Sequence, residues 1–385
     1  MRQFWGIKLL ILAFAAWLGL LGADLFFRPD IVFSEQENRY MELRPVFTWQ
    51  DLVSGRYGRQ LELWMTDQIA GRDQWVGYKA ELLRLIGSKE NRGIYFGRDQ
   101  YLIQKFSRPT EDALQETIRG ILHLQQLLPD LPVIFLLAPT SAAIFPDKLP
   151  DLAPTDDQAA FIEAVRAALA DAVTFIDSQT ALQQKTGEAI YFRTDHHWTM
   201  RGAFYAWQAW QQQTGQAVPS LEDYQIERVT ESFFGTSFSR AGLYRLQPDF
   251  IEVFQPKQAI PVSVTVANSG KIRDSLYNET FLSKKDKYSY FLDGNHPLLV
   301  IRTERPDRMT DERRIMVIKN SYANCLIPFL TRDYDEIHVI DLRFNQSNLA
   351  QYARDNAIDE IMYLYDVIGF GNDRLLRLLS RTTAP

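Results

Sequence analysis

Residues 132–138 read PVIFLLA, with no polar side chain among them. A strand with one face in water alternates apolar and polar residues. An unbroken apolar run of this length needs cover on both faces. Further strands are expected at Val173–Asp177, Arg314–Lys319, Glu336–Asp341 and Glu360–Tyr365. Helical segments separate them. Thr110 is placed to cap one, with Glu111 and Asp112 in its first turn, and Thr155 starts a second with Asp156 and Asp157 behind it. Acidic residues there complement the helix dipole. Further helices are expected over Met200–Thr214, ending at Gly215, over Ser321 to about Leu330, near Asn348, and at the C-terminal end. Strands alternating with helices specify an α/β fold: a three-layer α/β/α sandwich with a mostly parallel five-stranded sheet.

The rest of the chain departs from this alternation. From about Ser220 to Thr310, short β-type runs such as Ile260–Val266 lie among turn residues and a charged Lys284–Lys287 patch. We read this as a β-rich insertion, of the kind that roofs an active site. Gly93–Phe106, with Gly97 between two apolar pieces, reads as a hairpin. Residues 29–90 comprise a polar tether, including Glu37-Asn38-Arg39, followed by one or two amphipathic helices. Those helices are expected to pack on the body through Leu61, Trp64, Ile69, Trp75, Tyr78, Leu82 and Leu85. The body is expected over 91–385.

Leu9–Phe27 is apolar apart from Asp24 and approaches the length that spans a hydrocarbon core of ~30 Å. Arg2 and Lys8 precede it, which favours a cytoplasmic N-terminus and an exported body. Leu21 fits the small-x-small cleavage rule poorly, so residues 1–28 read as an uncleaved anchor rather than a signal peptide. The net charge of −6 argues against a nucleic-acid partner. The single cysteine, Cys325, excludes an intrachain disulfide and reads as core.

Two of the five histidines fall in Tyr191-Phe-Arg-Thr-Asp-His-His-Trp-Thr199. If Ala189–Phe192 runs on as a strand, Arg193, Asp195 and His197 share one face and Thr194, His196 and Trp198 the other. Asp195 can then fix the tautomer of His197 and stabilise its imidazolium, which supplies a base and its orienter. Ser321, in the turn after the buried strand Arg314–Lys319, is the candidate nucleophile. It sits at the carboxyl edge of the sheet, where a helix start offers N–H groups to an oxyanion. The alternatives are structural or different in kind. Ser321 suits an N-cap, and His197 suits a satisfied half-buried position. Asp195, His196 and His197 suit a metal only from a bent loop, as in a metal-dependent hydrolase. Ser237, in Phe234-Gly-Thr-Ser-Phe-Ser239, is a second serine with no buried strand before it. Trp198, Trp207 and Trp210 fit a core, or in the case of Trp198 a sugar platform.

The run Asp195-His-His-Trp-Thr199, with Gly235-Thr-x-Phe-Ser-x-x-Gly242 and Asn320-Ser-Tyr-Ala-Asn324, resembles the bacterial DHHW proteins, from about Glu37 to Phe370. These are similar to the SGNH-hydrolase-like proteins of alginate O-acetylation. The resemblance implies a rearranged SGNH fold with Asp195, His197 and Ser321 as the triad. It also implies acetyl transfer to an exported polysaccharide, with the acetyl group supplied by a membrane-embedded acyltransferase, and no cofactor. The usual Gly-Asp before the nucleophile is here Lys319-Asn320, and only Asn320 and Asn324 stand near the place of the oxyanion Asn. The expected activity is an envelope-anchored O-acetyltransferase or acetylesterase, with Arg193, His196, Trp198 and Tyr322 lining the acceptor site. The rival is a non-catalytic carbohydrate-binding or assembly protein on the same fold.

Overall fold

The computed structural model describes residues 2–37, 39–267, 269–304 and 312–383. Asn38 of the tether and the last residues of the expected insertion, 305–310, lie outside the described residues. The chain forms two compact units, one of residues 1–91 with 242–245, the other of residues 92–241 with 246–385.

The first unit begins with the helix Arg2–Phe27. Its Trp5–Phe27 stretch is long and apolar enough to cross a membrane, a property that signal sequences share. Three helices follow, Trp49–Val53, Arg56–Gln68 and Arg72–Leu85. Of the apolar positions expected to be covered, Trp64 is buried, whereas Trp75, Tyr78, Leu82 and Leu85 are exposed. What the second helix buries instead is largely polar. Asp67 accepts from the Arg39 guanidinium at 2.8 and 2.5 Å and from the Glu42 N–H at 2.9 Å. Gln68 bonds both backbone groups of Ile31, at 2.8 and 2.9 Å. Spacing alone could not separate this polar seam from an apolar one on the next face.

In the second unit, β1 (Ile94–Phe96) and β2 (Leu102–Gln104) form the expected hairpin. The main sheet contains β3 (Val133–Ala138) and β4 (Thr174–Ile176). A two-stranded ribbon follows, β5 (Tyr224–Phe233) with β6 (Asp249–Pro256). Then come β7 (Val262–Val266), β8 (Lys271–Arg273), β9 (Leu298–Thr303), β10 (Arg314–Lys319), β11 (Glu336–Ile340) and β12 (Glu360–Asp366). The sheet has eight strands in the order β8-β7-β9-β11-β10-β12-β3-β4. The five expected strands are mutually parallel. The other three come from the insertion and add antiparallel beyond β11. Much of the insertion therefore extends the main sheet, because β9 pairs with the open edge of β11.

Alternate residues of β3 enter two separate cores. Val133, Phe135 and Leu137 pack with Ile118, Ile121 and Phe161 of the helices Glu111–Leu127 and Gln158–Leu169. Ile134, Leu136 and Ala138 join the core that holds Phe204 and Trp207 of the helix Met200–Gln213. Both sheet faces are thus covered by helices, as the unbroken apolar runs require. The second of these helices starts later than Thr155 predicts: Asp157 is its N-cap and accepts from the Ala160 N–H at 3.0 Å. The segment after Ser321 is a 3-10 turn, Ser321–Cys325, followed by a short helix, Ile327–Leu330, with Pro328 in its first turn.

Candidate active site

Ser321 follows β10 directly, at the carboxyl edge of the sheet. Asn320 caps the 3-10 turn by accepting from the Tyr322 N–H at 3.1 Å. Its amide donates to Asp366 Oδ1 at 2.6 Å, at the end of neighbouring β12. Asp366 Oδ2 in turn accepts from the Ile368 and Gly369 N–H groups, at 2.9 and 3.1 Å. Gly369 leaves room for this contact, since a Cβ there would overlap the Asn320 amide. Two adjacent strand ends and a helix start therefore hold the Ser321 turn.

The histidine segment is not a strand. Tyr191 and Trp198 form a single antiparallel bridge, and Phe192 N–H donates back to the His197 carbonyl at 3.3 Å. Residues 193–197 form the bend between them. Asp195 and His197 still meet, by the loop's curvature rather than by alternation. His197 Nδ1 lies 2.5 Å from Asp195 Oδ1, and its Nε2 lies 2.8 Å from Ser321 Oγ. The geometry places Ser, His and Asp in one hydrogen-bonded line.

Asp195 is fully buried and satisfied on both oxygens. Oδ1 also takes the His197 N–H at 3.0 Å, and Oδ2 takes the Thr236 N–H and hydroxyl at 2.7 and 3.0 Å. Burial pushes this carboxyl up. The adjacent His197 and His196 and these hydrogen bonds outweigh it and hold the group well below the usual carboxylate range. Gly235 makes the contact possible, because a Cβ there would overlap the Asp195 carboxylate.

His196 packs against His197 with ring centroids 3.8 Å apart, and its Nδ1 meets Thr236 Oγ1 at 2.5 Å. Burial and the neighbouring His197 push its pKa down to about 4. On the opposite side Tyr288, from the insertion, stacks on His197 with centroids 3.8 Å apart and planes 9° apart. Its hydroxyl donates to the Ser321 carbonyl at 3.1 Å. Tyr288 carries no sequence signal beyond lying in an aromatic, lysine-rich stretch of the insertion, and sequence reasoning missed it.

The other expected site residues divide. His196 lines a cavity of about 510 Å³ that also receives Ser321, Asn320, Arg240, Arg343 and Arg374. Trp198 and Tyr322 are fully buried and cannot touch an acceptor in this structure. Trp198 Nε1 donates to the Tyr322 carbonyl at 2.9 Å, and the Tyr322 hydroxyl donates to the His196 carbonyl. Both brace the loop against the nucleophile turn. Arg193 is engaged by Asp249 at 3.3 Å and by the Pro248 carbonyl at 2.8 Å. Asp249 also takes the Thr194 hydroxyl, so this pair ties the loop to β6.

Asn324 is buried; its Oδ1 accepts from Lys319 Nζ at 2.9 Å and its amide donates to Asn295 Oδ1 at 3.3 Å, which commits its donor away from an oxyanion. Lys319 is buried as well, with Asn295 at 2.7 Å and Asp341 at 3.4 Å. Burial brings its amine down to about 8 despite Asp341, whose carboxylate is already forked by Arg343 at 2.9 and 2.6 Å. Among the described residues the Ser321 N–H has no acceptor, which leaves it as a donor for an oxyanion. Ser237 is buried, outside the cavity lining. Asp195, His196 and His197 bring potential metal-ligating atoms within 4.8 Å of one another. Asp195 and His197, however, already use those atoms on each other, Thr236 and Ser321, so the donor set fits a triad better than a cation.

The DHHW protein family's model matches residues 159–340, so the resemblance read from the sequence holds. A DHHW family protein from Eubacterium siraeum DSM 15702 superposes with a TM-score of 0.66 at 21% identity, covering 77% of this chain and 97% of its own. Bacillus cereus PatB1, solved with a sulfonyl adduct, superposes with a TM-score of 0.59 at 20% identity, covering 75% of this chain and 99% of its own. These likenesses establish a shared fold. No curated protein matches the chain.

Proposed function

We propose that this chain is a serine-dependent O-acetyltransferase or acetylesterase acting on an exported or cell-surface polysaccharide. One observation carries the reading: Ser321 Oγ, His197 and Asp195 form a continuous hydrogen-bonded line, with Ser321 at a cavity. Ser321 Oγ attacks the acetyl carbonyl while His197 Nε2 takes its proton. The tetrahedral oxyanion sits against the Ser321 N–H. His197 returns the proton to the leaving oxygen, and an acetyl-serine remains. A sugar hydroxyl or water then gives its proton to His197 and takes the acetyl group, and His197 returns that proton to Ser321 Oγ as it leaves. Asp195 holds the imidazolium that forms in each half.

The helix Arg2–Phe27, long and apolar enough over Trp5–Phe27 to cross a membrane, supports an envelope setting. In this reading the helix anchors the chain with its N-terminus in the cytoplasm and the second unit outside. A membrane-bound acyltransferase supplies the acetyl group. The layering of helices on both sheet faces supports a three-layer, SGNH-like arrangement.

The test uses the full-length chain in detergent with a chromogenic acetyl ester and, separately, a sulfonyl fluoride. A sulfonyl adduct is present on PatB1, and such reagents report an activated hydroxyl. Acetate release and a sulfonyl mass increment on Ser321 are expected, both lost in Ser321→Ala and His197→Ala. Activity surviving in Ser321→Ala would overturn the assignment and make Ser237 the next candidate.

A further inference from the structure

The first unit exposes an aromatic and aliphatic cluster close to the end of its long apolar helix. Val46, Phe47, Trp49 and Val53 are 80, 47, 74 and 86% exposed. The Phe47 ring lies 5.3 Å from that of Trp49 and 5.2 Å from that of Tyr57; Val46 precedes Phe47 in the chain, and Val53 lies four residues after Trp49 on the helix Trp49–Val53, on the same face. Burying such residues in a protein's own core is the normal outcome, so a contiguous exposed set needs an occupant.

The position of the patch along the chain identifies that occupant. Arg44 Nη2 donates to the carbonyls of Leu25 and Phe26, at 3.2 and 3.0 Å, at the last turn of the helix. The Arg44 guanidinium also lies over the Trp64 ring at 4.9 Å, and the Trp64 and Phe26 rings are 6.3 Å apart. Asp30 locks the junction by accepting from the Arg44 N–H at 2.7 Å and from Trp64 Nε1 at 3.0 Å. Val46 and Phe47 follow Arg44 by two and three residues, so their Cα atoms stay within about 7 and 11 Å of it. The headgroup zone adds only about 5–8 Å to each side of the hydrocarbon core. If the helix spans a bilayer, the chain leaving Arg44 starts beside the membrane surface, with Val46 and Phe47 in reach of the interface. Trp is enriched at that level, and Trp and Phe serve the apolar faces of segments that lie in the interface.

We infer that Val46, Phe47, Trp49 and Val53 form a second membrane contact, inserted into the interfacial zone of the leaflet where the helix emerges. The occupant is a lipid surface, held by apolar partition rather than by headgroup charge. The inference rests on the reading of Arg2–Phe27 as a membrane anchor.

The full-length chain, reconstituted in phosphatidylcholine vesicles, carries an environment-sensitive thiol probe on one of three variants: Trp49→Cys, Leu12→Cys within the helix, or Leu152→Cys on the second unit. Cys325 is buried and stays unlabelled. Lipids spin-labelled near the headgroup or deep in the acyl chain serve as quenchers. The expected result is a blue shift and loss of emission at position 49 with the shallow quencher, loss at position 12 with the deep one, and neither at position 152. Quenching at 12 with none at 49 overturns the membrane contact and leaves the anchor standing. A blue shift at 49 without lipid quenching indicates that a second copy covers the patch, and overturns it equally. No quenching at 12 removes the anchor and the inference together.

Discussion

Asp195 keeps its charge where burial alone would remove it, and it does so through neighbours on both of its oxygens. His196 shows the opposite balance. It gains a hydroxyl partner, but burial and the adjacent imidazole keep it neutral down to about pH 4. An unfolded chain protonates this ring near the ordinary histidine value, about 6.5. Between these two pH values the unfolded state binds the extra proton, so stability falls as pH drops through the window and levels off below it. Melting temperature measured against pH should show that slope in the wild type and a shallower one in His196→Gln. Equal slopes would mean that His196 titrates alike in both states. Tyr288 contributes through position. Tyr288→Phe keeps the ring over His197 and removes the hydroxyl's neutral bonds to the Ser321 carbonyl and Cys325 Sγ, for which a loss of kcat below about ten-fold is expected. Tyr288→Ala removes the stacking surface, and a fall on the order of 10²-fold in kcat with little change in KM is expected on the chromogenic ester. Wild-type kinetics in both variants would exclude the positioning role.

At the scale of elements, the site is an assembly of three loops. One is the bend between Tyr191 and Trp198, one is the Gly235-Thr236 turn after β5, and one is the nucleophile turn after β10. Gly235 is where the first two touch. In Gly235→Ala the added methyl must displace the Asp195 carboxylate, so a kcat/KM loss on the order of 10²-fold is expected, with a lowered melting temperature. An unchanged rate would show that the loop can yield without moving Asp195. The elements were unequally legible in the sequence. The five parallel strands could be read because short apolar-rich runs alternate with helical segments. Ser321 could be read because strand, turn and helix start leave it at a sheet edge. The pairing of Asp195 with His197 was reached from strand alternation, although the local backbone is a bend. Trp198 and Tyr322 were expected at an acceptor site, but aromatic residues beside a catalytic histidine serve packing equally well, and only burial distinguishes the two. Tyr288 reaches His197 through tertiary folding, with no spacing that connects them.

At the scale of the whole molecule, the three catalytic candidates and Tyr288, Gly235 and Thr236 all belong to the second unit, and the long apolar helix belongs to the first. The proposed chemistry and the proposed attachment therefore fall in different units. A fragment beginning at Arg28 lacks the helix. It is expected to stay in the supernatant after membrane sedimentation and to hydrolyse the chromogenic ester at the full-length rate. A fragment beginning at Arg92 loses more. Gly242–Arg245 packs with the first unit, where Gly242 meets Val76 and Ala80 and Tyr244 lies against Gly77. Removing those partners exposes Tyr244 and Gly242, six residues after Thr236, whose N–H and hydroxyl hold Asp195. The expected outcome is a lower melting temperature together with a reduced kcat, both absent from the Arg28 fragment. An Arg92 fragment as stable and active as the longer one would show that the catalytic unit is self-sufficient. In that case the first unit serves attachment alone.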